Sequence, residues 1–355
     1  MSKFFSGRHA ALTPYTPGEQ PQDMQYVKLN TNESPFPPSK GVLEAALREA
    51  GKLQLYSDPT SAVLGRKMAQ HMGVAPEMVL MTNGSDEALY YAFMAFGDEQ
   101  HPMVFPDITY GFYPVYADLF HIPYEEKPLA EDFSIDPAEY IGAGKTVVIA
   151  NPNAPTGRCL PLCVIEDIVK SNPENLVLID EAYVDFGGES AVPLTLRYDN
   201  LLVVGTFSKS RSMAGARLGY AIGNPALIAD MNTVKYSLNP YNVNRVTAAA
   251  GVAALEEDDY YRANCQTIME NREWTAQQLE RLGFDVIPSK TNFLFAKAPN
   301  VSGEKLYQEL KKRGVLVRHF TSQRIREYNR ITIGTREQME LFLEKTKEIL
   351  REANQ

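Results

Sequence analysis

The sequence predicts an α/β fold: a large domain with a mainly parallel sheet covered by helices on both faces, plus a small α+β domain. Three observations carry this. Short, continuously apolar runs alternate with helical stretches, as strands buried on both faces of a parallel sheet do. Polar residues gather where these runs end, at Ser85, Asn153, Asp180, Ser208 and Lys209, and in open α/β sheets that rim is where ligands bind. Beyond residue 258 the pattern changes to a separate strand and helix set.

Composition narrows the class. A chain of 355 residues with 44% apolar content can bury a sizeable core, most simply in two domains. The formal net charge of -9 argues against a nucleic-acid binder. Three cysteines, Cys159, Cys163 and Cys265, are too few for a disulfide framework and suit a reducing cytoplasm. The five histidines are scattered without metal-ligand spacing, so no metal site is expected. No apolar run reaches the roughly 18 residues of a membrane helix, and no signal-peptide core opens the chain. The expectation is a soluble, cytoplasmic protein.

In chain order, residues 1–38 are rich in proline and read as an extended arm that joins the small domain. Within it, Leu29-Asn30-Thr31-Asn32-Glu33-Ser34 is dense in side-chain amides, as an ordinary Asx-turn also is. The large domain is expected over 39–257, with helices at 39–50 and 62–72 and a strand at 78–82. Asn83-Gly84-Ser85-Asp86 then opens an apolar helix. Strand, glycine turn and helix start leave free N–H groups at a positive dipole end; this serves either as an anion site or as a simple cap. Further strands are expected near 103–105, 146–150, 176–179 and 201–205, with a second apolar segment at 218–223 and helices at 225–235 and 243–255. The small domain, 258–355, begins with a long helix to about 282. Strands follow at 292–296, 315–318 and 330–334, with helices at 303–313 and 336–353.

The chain is organised around Thr206-Phe207-Ser208-Lys209-Ser210, delivered by the 201–205 run and followed by Arg217. A lysine released from a buried strand into a small-residue loop can be desolvated, which lowers its pKa and makes it a Schiff-base nucleophile. Arg217 can clamp a phosphate with help from the Ser208 hydroxyl. A solvated lysine in a polar turn is the plainer alternative. Gly142-Ala143-Gly144-Lys145-Thr146 imitates a phosphate loop, but Glu139 stands where that motif wants glycine and a strand follows instead of a helix.

Taken together, Asn32-Glu33, Tyr56, Gly84-Ser85-Asp86-Glu87, Tyr110, Asn151-Pro152-Asn153-Ala154-Pro155-Thr156-Gly157, Asp180-Glu181-Ala182-Tyr183, Ser208-Lys209, Arg217 and Arg330 resemble, in that order, the fold-type-I pyridoxal-phosphate aminotransferases. More narrowly they are similar to the histidinol-phosphate aminotransferases, over essentially the whole chain. The resemblance implies pyridoxal 5'-phosphate as cofactor, carried covalently by Lys209, which then moves the proton of the reacting carbon. It implies that Asp180 pairs with the ring nitrogen and that Asn153 and Tyr183 hydrogen-bond the phenolic oxygen. Gly84, Ser85, the Asp86 N–H, Ser208 and Arg217 would hold the phosphate, and Tyr110 would stack on the ring. Tyr56 would reach the neighbouring subunit's phosphate, making a homodimer with shared sites, and Tyr241 would cross the same interface toward substrate. Arg330 would bind the substrate anion together with Arg318, and Tyr15 and Asn32 on the arm would close over it. The implied substrates are a phosphorylated amino alcohol, L-histidinol phosphate, and the 2-oxoglutarate/glutamate pair. The rivals on the same scaffold are a transaminase of aromatic amino acids and a phosphothreonine decarboxylase. Two departures stand out: Leu55 and Ser57 flank Tyr56 where the family often has arginine and proline, and Arg211 follows Lys209 where it often has an aromatic.

Overall fold

The structure is a computed structural model and describes residues 2–10 and 12–353. Its centre is a seven-stranded sheet in the order Val79–Thr82, Gly219–Gly223, Leu201–Thr206, Val177–Asp180, Thr146–Ala150, Met103–Pro106, Tyr124–Lys127. Gly219–Gly223 runs antiparallel to both its neighbours, and every other pairing is parallel. The strand Leu201–Thr206 is buried at every position, as are Thr146–Ala150 and Val177–Asp180. Their unbroken apolar character follows from helices lying on both faces.

One face packs on Val42, Leu64, Met68, Ile165, Ile168 and Ala250 from four helices. The other face packs on Leu89, Phe93, Tyr113, Ala117, Ile228 and Met231 from three more. Close approach fixes two glycines. A Cβ on Gly219 would stand 2.4 Å from Gly84 C, and one on Gly205 would stand 2.3 Å from the Tyr220 ring.

The helix Asp258–Arg281, 24 residues, leads into a second sheet with the order Arg318–His319, Tyr328–Thr332, Phe293–Lys297, Asp285–Ile287, antiparallel throughout. The helices Gly303–Lys312 and Arg336–Ala353 cover it through Leu306, Leu310, Met339 and Phe342. Val27–Lys28 of the arm pairs in parallel with Val315–Leu316.

Three strands lie outside the expected set: Val27–Lys28, Tyr124–Lys127 and Asp285–Ile287. Tyr-Glu-Glu-Lys is an edge strand whose charges pair with Lys145 and Glu139. Charge is how edges are kept from pairing further, and it hides them from a search for apolar runs. The single strand expected at 315–318 is two. Val315–Leu316 serves the arm and Arg318–His319 serves the second sheet. The strand expected at 330–334 lies at Tyr328–Thr332.

Candidate active site

The rim of the large sheet opens into a cavity of about 480 Å³. Lys209 enters it from the loop after Leu201–Thr206, and its Nζ donates to Thr31 O at 3.2 Å. Burial lowers the ammonium pKa to about 8, with the positive charge of Arg330 adding to the shift. A substantial fraction is therefore the neutral, nucleophilic amine near pH 8. Ser208 is held by Thr206, whose Oγ1 accepts from the Ser208 N–H at 3.1 Å and lies 2.9 Å from its hydroxyl.

The anion end is built by two elements. Helix Ser85–Phe96 begins at the cavity after Gly84, whose φ of 81° belongs to the glycine-favouring region. A Cβ there would lie 2.6 Å from Arg217 Nη2. Arg217, Ser85 and Ser208 all line the cavity. The Asp86 side chain has an unexpected part: its carboxylate accepts from Arg217 Nη2 at 2.8 Å and from the Tyr110 hydroxyl at 2.7 Å.

Asp180 ends its strand buried in the cavity wall. Burial pushes its pKa up to about 6, against hydrogen bonds from the Tyr113 hydroxyl at 3.0 Å and the Ala182 N–H at 3.1 Å. Tyr113 was not expected; a tyrosine on the inner face of an aromatic-rich helix gives no local signal. Tyr183 accepts from Asn32 Nδ2 at 2.9 Å, and its ring centroid lies 5.9 Å from Lys209 Nζ.

Asn153 is fully buried behind the cavity wall: its N–H groups donate to Ile108 O and Thr156 Oγ1, and its Oδ1 accepts from Thr109. Pro152 and Ala154 form the wall, and Asn153 ties the loop behind them.

A second cavity of about 450 Å³ shares Thr31, Tyr110, Ala154, Tyr183 and Lys209 with the first. Arg330 and Arg318, on adjacent strands, line it with Tyr15 and Asn32. Both cations rest on main-chain carbonyls of the arm. Arg330 Nη2 donates to Asn30 O at 3.0 Å, while Arg318 donates to Thr16 O and Pro17 O at 3.1 and 3.2 Å. Phe293 and Phe320 lie 5.3 and 5.7 Å from the Arg330 guanidinium. Buried Arg330 Nε has no partner among the described residues. Tyr15 stacks on Phe112 at 4.3 Å. Beside this cavity, Arg324 donates to Asp107 at 2.6 Å and to Leu129 O, tying the loop after Phe320 to the large sheet's rim.

Tyr56 and Tyr241 are not brought to either cavity. They stack on each other at 4.6 Å on the surface, 80% and 44% exposed, with Leu43, Leu47, Leu53 and Leu55 also exposed. Arg211 turns away from the cavities and pairs with Asp258 inside the protein. Among the described residues no group of three or more His, Cys, Asp or Glu side chains could hold a metal. A desolvated lysine, a buried carboxylate, and an arginine beside two serines at a helix start fit pyridoxal phosphate: an aldehyde, a ring nitrogen and a phosphate.

The model of the family "Aminotransferase class I and II" matches residues 24–345. A Marinomonas protein named histidinol-phosphate aminotransferase is 50% identical over 343 residues, 96% of this chain and 97% of that one. Histidinol-phosphate aminotransferase 2 of Dechloromonas aromatica is 48% identical over 340 residues, 94% and 96% of the two chains. Among solved structures, the histidinol-phosphate aminotransferase of Sinorhizobium meliloti, in complex with pyridoxal-5'-phosphate, superposes with a TM-score of 0.85 at 23% identity over 92% of each chain, a likeness of fold.

Proposed function

Since this chain belongs to the class I and II aminotransferases, we propose that it transfers the amino group of L-histidinol phosphate to 2-oxoglutarate, giving imidazole acetol phosphate and glutamate in histidine biosynthesis. Its cofactor is pyridoxal 5'-phosphate, which when bound supplies the electron sink for the reacting carbon. One observation carries the reading: a desolvated Lys209 stands where a phosphate-type cavity meets a cavity lined by two arginines.

Each residue's part follows from its place. With the cofactor bound, neutral Lys209 would hold it through its aldehyde carbon and would take and return the proton of the reacting substrate carbon. Asp180 sets a negative charge against the ring nitrogen. Arg217, Ser85, Ser208 and the helix start bind the cofactor phosphate. Arg330 and Arg318 are planar forks that pair with phosphate or carboxylate alike, so one anion site serves histidinol phosphate and glutamate in turn. Tyr15 and Asn32, on the arm, cover the substrate and exclude water.

The exposed Tyr56, Tyr241 and neighbouring leucines favour a homodimer in which Tyr56 serves the other subunit's phosphate. In this reading the arm (1–38) and small domain (258–355) close over the large domain (39–257). Three free cysteines suit a cytoplasmic enzyme; no helix among the described residues is long and apolar enough to cross a membrane.

The test is an amine screen of the cofactor-loaded protein, following the visible absorbance of the lysine-bound cofactor. Histidinol phosphate should change it far faster than histidinol or aromatic amino acids, and 2-oxoglutarate should restore it. Carbon dioxide released from phosphothreonine, without need of an oxo acid, would replace this reading with the decarboxylase.

A further inference from the structure

Asp180 does not stand alone in its wall. Tyr113, on the first turn of helix Phe112–Phe120, is completely buried, and its hydroxyl donates to Asp180 Oδ2 at 3.0 Å. The Ala182 N–H takes Oδ1. Two bonds to two different oxygens fix the plane of the carboxylate, and both favour its charged form. We propose that Tyr113 is a positioning residue that keeps Asp180 ionised and aimed at the cofactor's ring nitrogen; this rests on the cofactor reading above.

The charge needs such support. Burial raises the Asp180 pKa, and the Asp86 carboxylate on helix Ser85–Phe96 adds to the rise. Tyr110, Glu181, Tyr183 and, from strand Gly219–Gly223, Tyr220 also face it. Burial and the Asp180 charge hold the Tyr113 phenol far above its usual range, so it stays a donor at every working pH.

The consequence is a pH signature. Above the pKa of Asp180, the cofactor-free protein presents a carboxylate whether or not Tyr113 is there. Below it, the carboxyl must lose a proton to pair with a protonated ring nitrogen, and affinity falls up to tenfold per pH unit. Losing a hydrogen bond to the charged form moves that fall upward by about one pH unit or more.

The experiment measures the Kd of pyridoxal phosphate between pH 5.5 and about 8.5 for wild type, Tyr113→Phe, Asp180→Asn and the double variant, with Tm recorded for each. Lys209 and the phosphate titrate alike in all four, so ratios isolate Asp180. Tyr113→Phe should match wild type near pH 8.5 and bind about tenfold more weakly near pH 6. In the Asp180→Asn background it should change nothing further, even if Tyr113→Phe lowers Tm. Identical profiles, or an equal loss at every pH, overturn the proposal while the cofactor reading stands. A wild type that binds no pyridoxal phosphate removes both.

Discussion

The two halves of the site are built differently. On the cofactor side, side chains from the rim of one sheet hold one another: Asp86 bonds Arg217 and Tyr110, and Tyr113 bonds Asp180. On the substrate side, the cations come from the second sheet and rest on neutral carbonyls at Thr16, Pro17 and Asn30. A carbonyl offers a guanidinium neither the opposite charge nor the two-pronged geometry of a phosphate or carboxylate, so an arriving anion displaces it. In the proposed function, the first half is preorganised for a group that stays and the second exchanges its partner twice in each cycle.

Substitutions can break that comparison, and the largest effect belongs to the residue shared by both halves. Lys209→Ala should fold and bind cofactor but lose turnover by roughly 10⁴-fold or more, the scale of a lost general base with a lost nucleophile. Borohydride reduction of the loaded wild type should place the pyridoxyl group on Lys209 in a peptide map, and a label elsewhere would refute its role. Uptake of pyridoxal phosphate should quicken as pH rises toward about 8, because Lys209 must first lose its proton.

Asp180→Asn tests the rigid half. Losing a buried charged bond costs about 1.5–3 kcal/mol, roughly 10- to 200-fold in kcat, with Tm close to wild type. Near-normal turnover would show that the carboxylate does not tune the ring.

The exchanging half should respond in graded fashion. Arg330→Ala, which removes a half-buried guanidinium, should lower kcat/KM by tens of fold for both histidinol phosphate and glutamate. Arg318, more open to water, should matter by about tenfold and mainly for the phosphate substrate. If Arg318→Ala uses histidinol phosphate normally, the paired-arginine account fails.

The smallest expected effect lies farthest out. Glu19 pins the arm to Tyr307 and Lys311 on helix Gly303–Lys312. A half-buried surface pair of this kind contributes about 1 kcal/mol, so Glu19→Gln should raise KM a few-fold and leave kcat alone. A kcat change as large as the KM change would mean that the arm does more than cover the substrate.

What could be read from the sequence follows the same division. Lys209, Asp180, Ser85 and Arg217 announce themselves because strand ends in a parallel sheet all point to one rim, so order along the chain becomes proximity. Arg318 and Arg330 could be placed on strands, but their resting partners could not be foreseen, since a main-chain carbonyl has no signature in a sequence. Tyr113 stayed hidden for a related reason: its ring belongs to the core and only its hydroxyl to the site. The motif around Asn153 fixes the loop's position while leaving open which face of the loop meets the cavity. The segment from Asn30 to Asn32 looked equally like an Asx-turn. Its long-range bonds to Lys209, Arg330, Tyr183 and Thr332 have no local signature in the sequence.

Thr31 carries a practical consequence. Its carbonyl receives Lys209, while its own hydroxyl has no partner among the described residues. Any residue type presents the same carbonyl, so a saturation scan of position 31 would score it as permissive. Removing one residue between Lys28 and Asn30 would slide the Asn30 and Thr31 carbonyls past their cations and register as severe. Here sensitivity to length, measured by insertion and deletion, maps function that side-chain replacement leaves blank.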